Sequence, residues 1–231
     1  GRVEGNWARG GAGGVGMDGV VDNEPMLDGM VWNMTFDANA KGTAERTRIT
    51  TEELWQRLSY FLDAMLPTAE KAGVMLAAHP DDPPVERIRD TPRLVIRPEL
   101  YQKLIDLHPS PANGLEFCLG TMAEMPEGEM DIYQATRHYA EQKRIGYVHF
   151  RNIRGRVPHY QEVFIDEGDI DMRRIVDILR KSDFQGVLIP DHAPQMACAA
   201  PWHAGMAHAM GYMTALLQSG SPSAVETAVP S

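Results

Sequence analysis

The chain has 231 residues, with 22 Lys+Arg against 32 Asp+Glu, a formal net charge of −10. That balance argues against a non-specific nucleic-acid binder, which needs a basic footprint, and no apolar run approaches the roughly 18 residues of a membrane span. At 43% hydrophobic and 23% charged residues the composition is that of an ordinary globular protein, and two cysteines, Cys118 and Cys198, cannot form a disulfide scaffold, so a reducing cytoplasm is expected.

The first 20 residues hold 8 of the 21 glycines. Gly11-Ala12-Gly13-Gly14-Val15-Gly16 matches GxGxxG by letter, but no strand pattern precedes it and no helix pattern follows, so a flexible loop is expected. Met30-Val31-Trp32-Asn33-Met34 is a poor strand candidate. Thr50-Thr51-Glu52-Glu53 reads as a capping box. Leu54, Leu58, Phe61, Leu62, Met65 and Leu66 then form an amphipathic stripe, with a bend expected at Pro67 and an end at Gly73. Val74 to His79 is an apolar strand. A helix follows from Pro98 to about His108, a strand from Gly114 to Leu119, and a helix from about Asp131 to Lys143. Ile145 to Phe150 is a third strand. Asp171 caps a helix carrying Ile175, Val176 and Leu179. Gly186 to Asp191 is a fourth strand, and a last helix runs from about His203 to Leu217. Strands alternating with helices imply an α/β fold with a parallel sheet, and apolar runs imply strands buried on both faces. An open doubly wound sheet and a (β/α)8 barrel both satisfy this pattern.

Each of the four strands has a possible metal ligand at or near its carboxyl end: His79, Cys118, His149 and Asp191. The separations, 118 − 79 = 39, 149 − 118 = 31 and 191 − 149 = 42, suit single βα units. In a barrel all four would reach the face where such enzymes place their sites. Two imidazoles, a thiolate and a carboxylate make a first shell for Mn²⁺, Fe²⁺ or Zn²⁺. The rigid loop His79-Pro80-Asp81-Asp82-Pro83-Pro84 presents carboxylates that could bind sugar hydroxyls. Arg151 shares a face with His149 if the strand continues, and could clamp a substrate carboxylate or pair with a nearby acid. Arg154, Arg156, His159 and Glu162 lie on the loop that follows.

His79-Pro80-Asp81-Asp82-Pro83-Pro84, Gly114-Leu115-Glu116-Phe117-Cys118-Leu119-Gly120, Tyr147-Val148-His149-Phe150-Arg151 and Pro190-Asp191-His192 occur ungapped and in order. Together they resemble the signature of the mannonate dehydratases, over about residues 9–217, with Arg9–Gly13 and Ala207–Met213 closer to a divergent branch. The resemblance implies a (β/α)8 barrel of the xylose-isomerase-like type holding Mn²⁺ or Fe²⁺ on His79, Cys118, His149 and Asp191. It also implies dehydration of D-mannonate to 2-keto-3-deoxy-D-gluconate in hexuronate breakdown, with the metal as Lewis acid. His192 matches a family acid/base residue. Arg151, Asp81 and Asn152 are the expected substrate contacts.

Characterised members carry an active-site Tyr before the last helix, and residues 193–211 here contain none. Either His203 takes its place, or the substrate differs, or catalysis is impaired. Family members are longer, and their first barrel strands have no counterpart here. The chain begins with Gly1 rather than Met, so a fragment is expected: one partial barrel domain over 1–218 and a disordered tail over 219–231. The expected partner is a small-molecule sugar acid, with a homo-oligomer admitted, and neither nucleic acid nor membrane. Two other readings compete: a xylose-isomerase-like sugar isomerase or epimerase, against which Cys118 at a ligand position argues, and a non-catalytic sugar-acid-binding or metal-binding relative.

Overall fold

Thr50 and Glu53 open the first helix, α1 (Thr51–Ala72), as a reciprocal capping box. The Glu53 N–H donates to Thr50 Oγ1 at 3.1 Å, and Glu53 Oε2 accepts from the Thr50 N–H at 2.6 Å. Gly73, at φ 66°, closes it in the left-handed conformation that glycine adopts without a Cβ penalty. The helix runs through Pro67 as one element. Its buried stripe is Trp55, Leu62, Leu66 and Ala69, while Phe61 and Met65 lie at its exposed edge. The structure is a computed structural model, and it describes residues 48–88, 91–157, 159–191, 193–194 and 198–219. The glycine-rich loop, the Met30–Met34 candidate and the tail beyond Ser219 lie outside the described residues.

Four parallel strands form the sheet that carries the expected ligands: β1 (Leu76–Ala78), β4 (Asn113–Cys118), β5 (Ile145–His149) and β8 (Val187–Ile189), in the order β1-β4-β5-β8. Among the described residues this sheet does not close on itself. Two short antiparallel hairpins interrupt the alternation, β2 (Arg87–Ile88) with β3 (Thr91–Pro92), and β6 (Asn152–Arg156) with β7 (His159–Val163). The helices are α2 (Leu100–Leu107), α3 (Leu119–Glu124), α4 (Ile132–Glu141), α5 (Met172–Lys181) and α6 (Pro201–Gln218). Asp131 and Asp171 cap α4 and α5 through their side chains. No helix among the described residues is long and apolar enough to cross a membrane.

Burial on both faces holds for β4; in β5 Ile145 and Val148 are buried but Tyr147 and His149 only partly so, and the outer strands are more open still. Val187 is 62% exposed and Ile189 36%, because β8 is an edge of the described sheet and has no neighbour on one side. The core gathers under β4 and β5, where the rings of Tyr101, Phe117 and Tyr139 pack at centroid distances of 5.7–6.3 Å. The Tyr101 hydroxyl donates to the Glu116 carbonyl at 2.8 Å and lies 3.3 Å from the Ala78 carbonyl. One core side chain thus pins the carboxyl ends of two adjacent strands.

Register and a bulge decide which side chains share the inner face. Leu115 pairs with Ile145, but Glu116 pairs with Tyr147 and Cys118 with His149. The shift between Leu115 and Glu116 inserts Gly146 into β5 and flips the alternation there. Tyr147 and His149 therefore stand beside Glu116 and Cys118. Gly146 suits the insertion, since a Cβ there would come 2.9 Å from Met75 Sδ.

Candidate metal centre

His79 follows β1 directly, and Cys118 and His149 end β4 and β5. Their ligand atoms all lie within 4.8 Å of one another, and the two imidazole centroids are 5.6 Å apart. Cys118 is fully buried, His149 is 18% exposed and His79 32%, so the cluster is open to one side. The His79 Nδ1 lies 2.5 Å from the Pro80 carbonyl oxygen. A carbonyl only accepts, so Nδ1 carries the hydrogen and Nε2 is the nitrogen that offers a lone pair once the ring is neutral. This is how metal-binding imidazoles are held. The His149 Nδ1 is buried without a hydrogen-bond partner. Two imidazoles and a thiol converging in this way fit a divalent transition metal.

The charges agree with that fit. Burial alone would raise the Cys118 thiol, but the Arg151 charge and hydrogen bonds from His149 and His79 outweigh it and hold it well below its ordinary value. Burial alone would lower the His79 imidazole, but the Cys118 hydrogen bond and charge, with Glu116, push it up to about 9. His149 is likewise raised against burial by Cys118, Asp191 and Glu116. The cluster is a nest of negative groups that attracts cations.

Asp191 stands at the rim. Its Oδ2 is 3.5 Å from His149 Nδ1 and 3.3 Å from Arg151 Nε. The Asp191 backbone has φ 61°, a conformation uncommon outside glycine and one that places its carboxylate over the sheet's carboxyl edge.

The structure gives the three expected substrate contacts other work. β5 ends at His149, and Arg151 turns under the site, 3% exposed. Its Nη1 meets Glu124 at 2.7 Å and Glu162 at 3.0 Å, and its Nη2 meets Asp82 at 3.0 Å and Thr121 at 2.9 Å. Gly120 leaves room for it, since a Cβ there would sit 2.5 Å from Nη1. Arg151 is a buried ion-pair hub rather than a clamp open to substrate. Burial drives the Glu124 carboxyl well upward, Arg151 opposes this, and Asp82, Cys118 and Glu162 add to it. Asp81 turns to its own loop, accepting from the Leu94 and Val95 N–H groups at 2.6 and 2.8 Å and pairing with Arg93. Asn152 is 1% exposed. Its amide donates to the Ile165 and Ile170 carbonyls and accepts from the Ile153 and Ile170 N–H groups, which fills its capacity.

His192 lies outside the described residues. His203 is exposed in the first turn of α6, and among the described residues no hydrogen bond or ion pair ties it to the cluster. Glu116 is the group that the sequence reasoning passed over. Its Oε1 lies 2.8 Å from His149 Nε2 and 3.9 Å from His79 Nε2, and its Oε2 accepts from the Tyr147 hydroxyl. Its place two residues before Cys118 on one strand was the available signal.

Relatives of this chain in sequence carry the name mannonate dehydratase. The family model for D-mannonate dehydratase (UxuA) matches residues 20–220. A mannonate dehydratase of Streptococcus equi subsp. zooepidemicus is 40% identical over 181 residues, covering 75% of this chain and 49% of the relative. The crystal structure of mannonate dehydratase from Streptococcus suis serotype 2 superposes with a TM-score of 0.66 at 32% identity, over 80% of this chain and 56% of that one. A xylose isomerase-like TIM barrel protein from Mycobacterium smegmatis, at 12% identity and TM-score 0.51 over 77% and 55% of the two chains, shares the fold alone. The chain thus spans about half the length of the curated relatives it matches, and its four-stranded parallel sheet is part of a barrel of that type. The chain belongs to the D-mannonate dehydratase family.

Proposed function

We propose that the chain carries the metal centre of a hydro-lyase acting on D-mannonate, giving 2-keto-3-deoxy-D-gluconate. The observation that carries this reading is the convergence of His79, Cys118 and His149 at the carboxyl edge of the sheet, in a chain of this family. His79, Cys118 and His149 hold the ion, and Asp191 closes the shell from the rim. Mn²⁺ or Fe²⁺ suits two imidazoles with a carboxylate, and the thiolate admits Zn²⁺. When bound, the ion supplies Lewis-acid polarisation of the sugar acid's carboxylate and hydroxyl oxygens.

The chain's own groups do the rest. The Pro80 carbonyl fixes the His79 tautomer. The Arg151 charge favours the Cys118 thiolate. Dehydration needs a base for the proton alpha to the carboxylate and an acid for the departing C3 hydroxyl. His192, next to Asp191 in the chain, is the candidate acid/base group for one of these roles, and His203 for the other.

The test is to load the chain with Mn²⁺, Fe²⁺ or Zn²⁺ and follow 2-keto-3-deoxyaldonate formation from a panel of aldonates. Turnover of D-mannonate above the other hexonates, abolished by chelation, is expected. Tight metal binding with no turnover of any hexonate would replace this reading with a sugar-acid-binding or metal-binding role.

A further inference from the structure

We propose that Glu116 is a metal-coordinating carboxylate of this centre, contributing Oε1 beside the two imidazoles. The inference rests on the metal-centre reading above and adds one donor to it.

Three observations lead there. Oε1 is the atom that faces both imidazoles through the same nitrogen, at 2.8 Å from His149 Nε2 and 3.9 Å from His79 Nε2. For His79 that nitrogen is the one that offers a lone pair once the ring is neutral, because Nδ1 is committed to the Pro80 carbonyl. Two donors about 2.1 Å from one ion stand about 3.0 Å apart at a right angle and about 3.4 Å apart at a tetrahedral one. The two observed separations bracket those values.

The second observation is how the carboxylate is held. Glu116 and Tyr147 are partners in the β4–β5 register, one step before the Cys118–His149 pair. The Tyr147 hydroxyl donates to Oε2. That leaves Oε1 turned across the sheet toward the ligand pair, where it meets His149 Nε2 in the metal-free chain.

The third is charge. The Glu116 side chain is 12% exposed, and a shielded carboxylate needs a cation nearby. Among the described residues no Lys or Arg pairs with it. Arg151, whose Nε balances Asp191, spends its remaining donors on Asp82, Glu124, Glu162 and Thr121. In the metal-free chain Glu116 is paired only with the imidazoles of His79 and His149, and a metal ion that takes their lone pairs replaces the charge those rings give up. A second carboxylate donor also hardens the shell, which favours Mn²⁺ and Fe²⁺ over Zn²⁺.

The experiment uses the 231-residue chain stripped of metal. Mn²⁺ and Zn²⁺ affinities are measured by competition with a chromophoric chelator, and Co²⁺ spectra are recorded. Glu116→Gln should weaken Mn²⁺ at least tenfold and Zn²⁺ by less. It should alter the Co²⁺ d–d bands while the thiolate-to-cobalt charge-transfer band persists, a signature that general loosening of the fold would not give. Tyr147→Phe should weaken Mn²⁺ by two- to fivefold. If circular dichroism shows the Gln variant unfolded, Glu116→Asp carries the test, and it should weaken Mn²⁺ at least threefold with altered d–d bands. A folded variant with both affinities within twofold of the parent and an unchanged Co²⁺ spectrum overturns the assignment. A parent chain that binds neither ion overturns the metal-centre reading instead.

Discussion

Replacing Arg151 with Met tests whether this residue is a structural hub or a substrate clamp. The guanidinium is 3% exposed, and its partners Asp82, Glu124 and Glu162 are 4%, 0% and 3% exposed. Met fills much of the volume but removes the guanidinium that these buried carboxylates share. Removing one partner from a buried ion pair costs about 3–5 kcal/mol. For a unit of this size that is a fall in Tm of about 6–20 °C. The deficit should depend on pH with a definite sign. Burial already drives the Glu124 carboxyl upward and Arg151 opposes this, so without Arg151 it rises further and its protonation relieves the repulsion. The protonated form is favoured at low pH and lost as pH rises, so the gap between variant and parent should be smaller at pH 5 than at pH 7.5. Adding Glu124→Gln should recover part of the loss at pH 7.5, since it removes one of the stranded charges. The assay is thermal and urea unfolding of both variants by circular dichroism at the two pH values. A loss under about 1 kcal/mol joined to a raised KM for the sugar acid would refute the hub reading and restore the clamp.

Cys118→Ser should cut metal stoichiometry sharply by elemental analysis, because a hydroxyl replaces the thiolate donor; full stoichiometry would remove Cys118 from the site. Gly120→Ala should destabilise by about 1–2 kcal/mol, since the new Cβ meets Arg151 Nη1, Cζ and Cγ at 2.5–2.7 Å and overpacking exceeds the helical gain of alanine. In an Arg151→Ala background the same change should become stabilising, and urea midpoints that move the same way in both backgrounds would contradict this. His79, held up at about 9, must shed a proton to bind an ion. Metal affinity should therefore climb about tenfold per pH unit between 7 and 9 for each proton displaced, and calorimetry in buffers of differing ionisation enthalpy should show that release. In the metal-free chain the same raised value stabilises the fold fully below the ordinary 6.5 and loses its effect as pH rises through about 9. A pH-independent affinity would sink the argument.

Several helix ends were legible in the residues themselves. Thr50 with Glu53, Asp171 and Gly73 act through hydrogen bonds and backbone preferences within a few residues, and each caps the helix it was expected to cap. The alternation of apolar runs with helical stripes set the parallel sheet, and strand-end placement alone singled out His79, Cys118 and His149, which the fold brings within 4.8 Å. The short hairpins went unread because strands as short as the two residues of Arg87–Ile88 leave no period to detect. Tertiary structure decided everything that depends on a partner far away in the chain. Arg151 could be a clamp or an ion pair until Asp82, 69 positions earlier, and Glu162 closed around it. Glu116 gained its place beside the imidazoles only through the bulge at Gly146, which flips β5 and sets Tyr147 and His149 on its face. A sequence records which groups can donate, accept or coordinate. Which of them meet, and which are sealed from water when they do, is fixed by register and burial, and these are properties of the whole sheet.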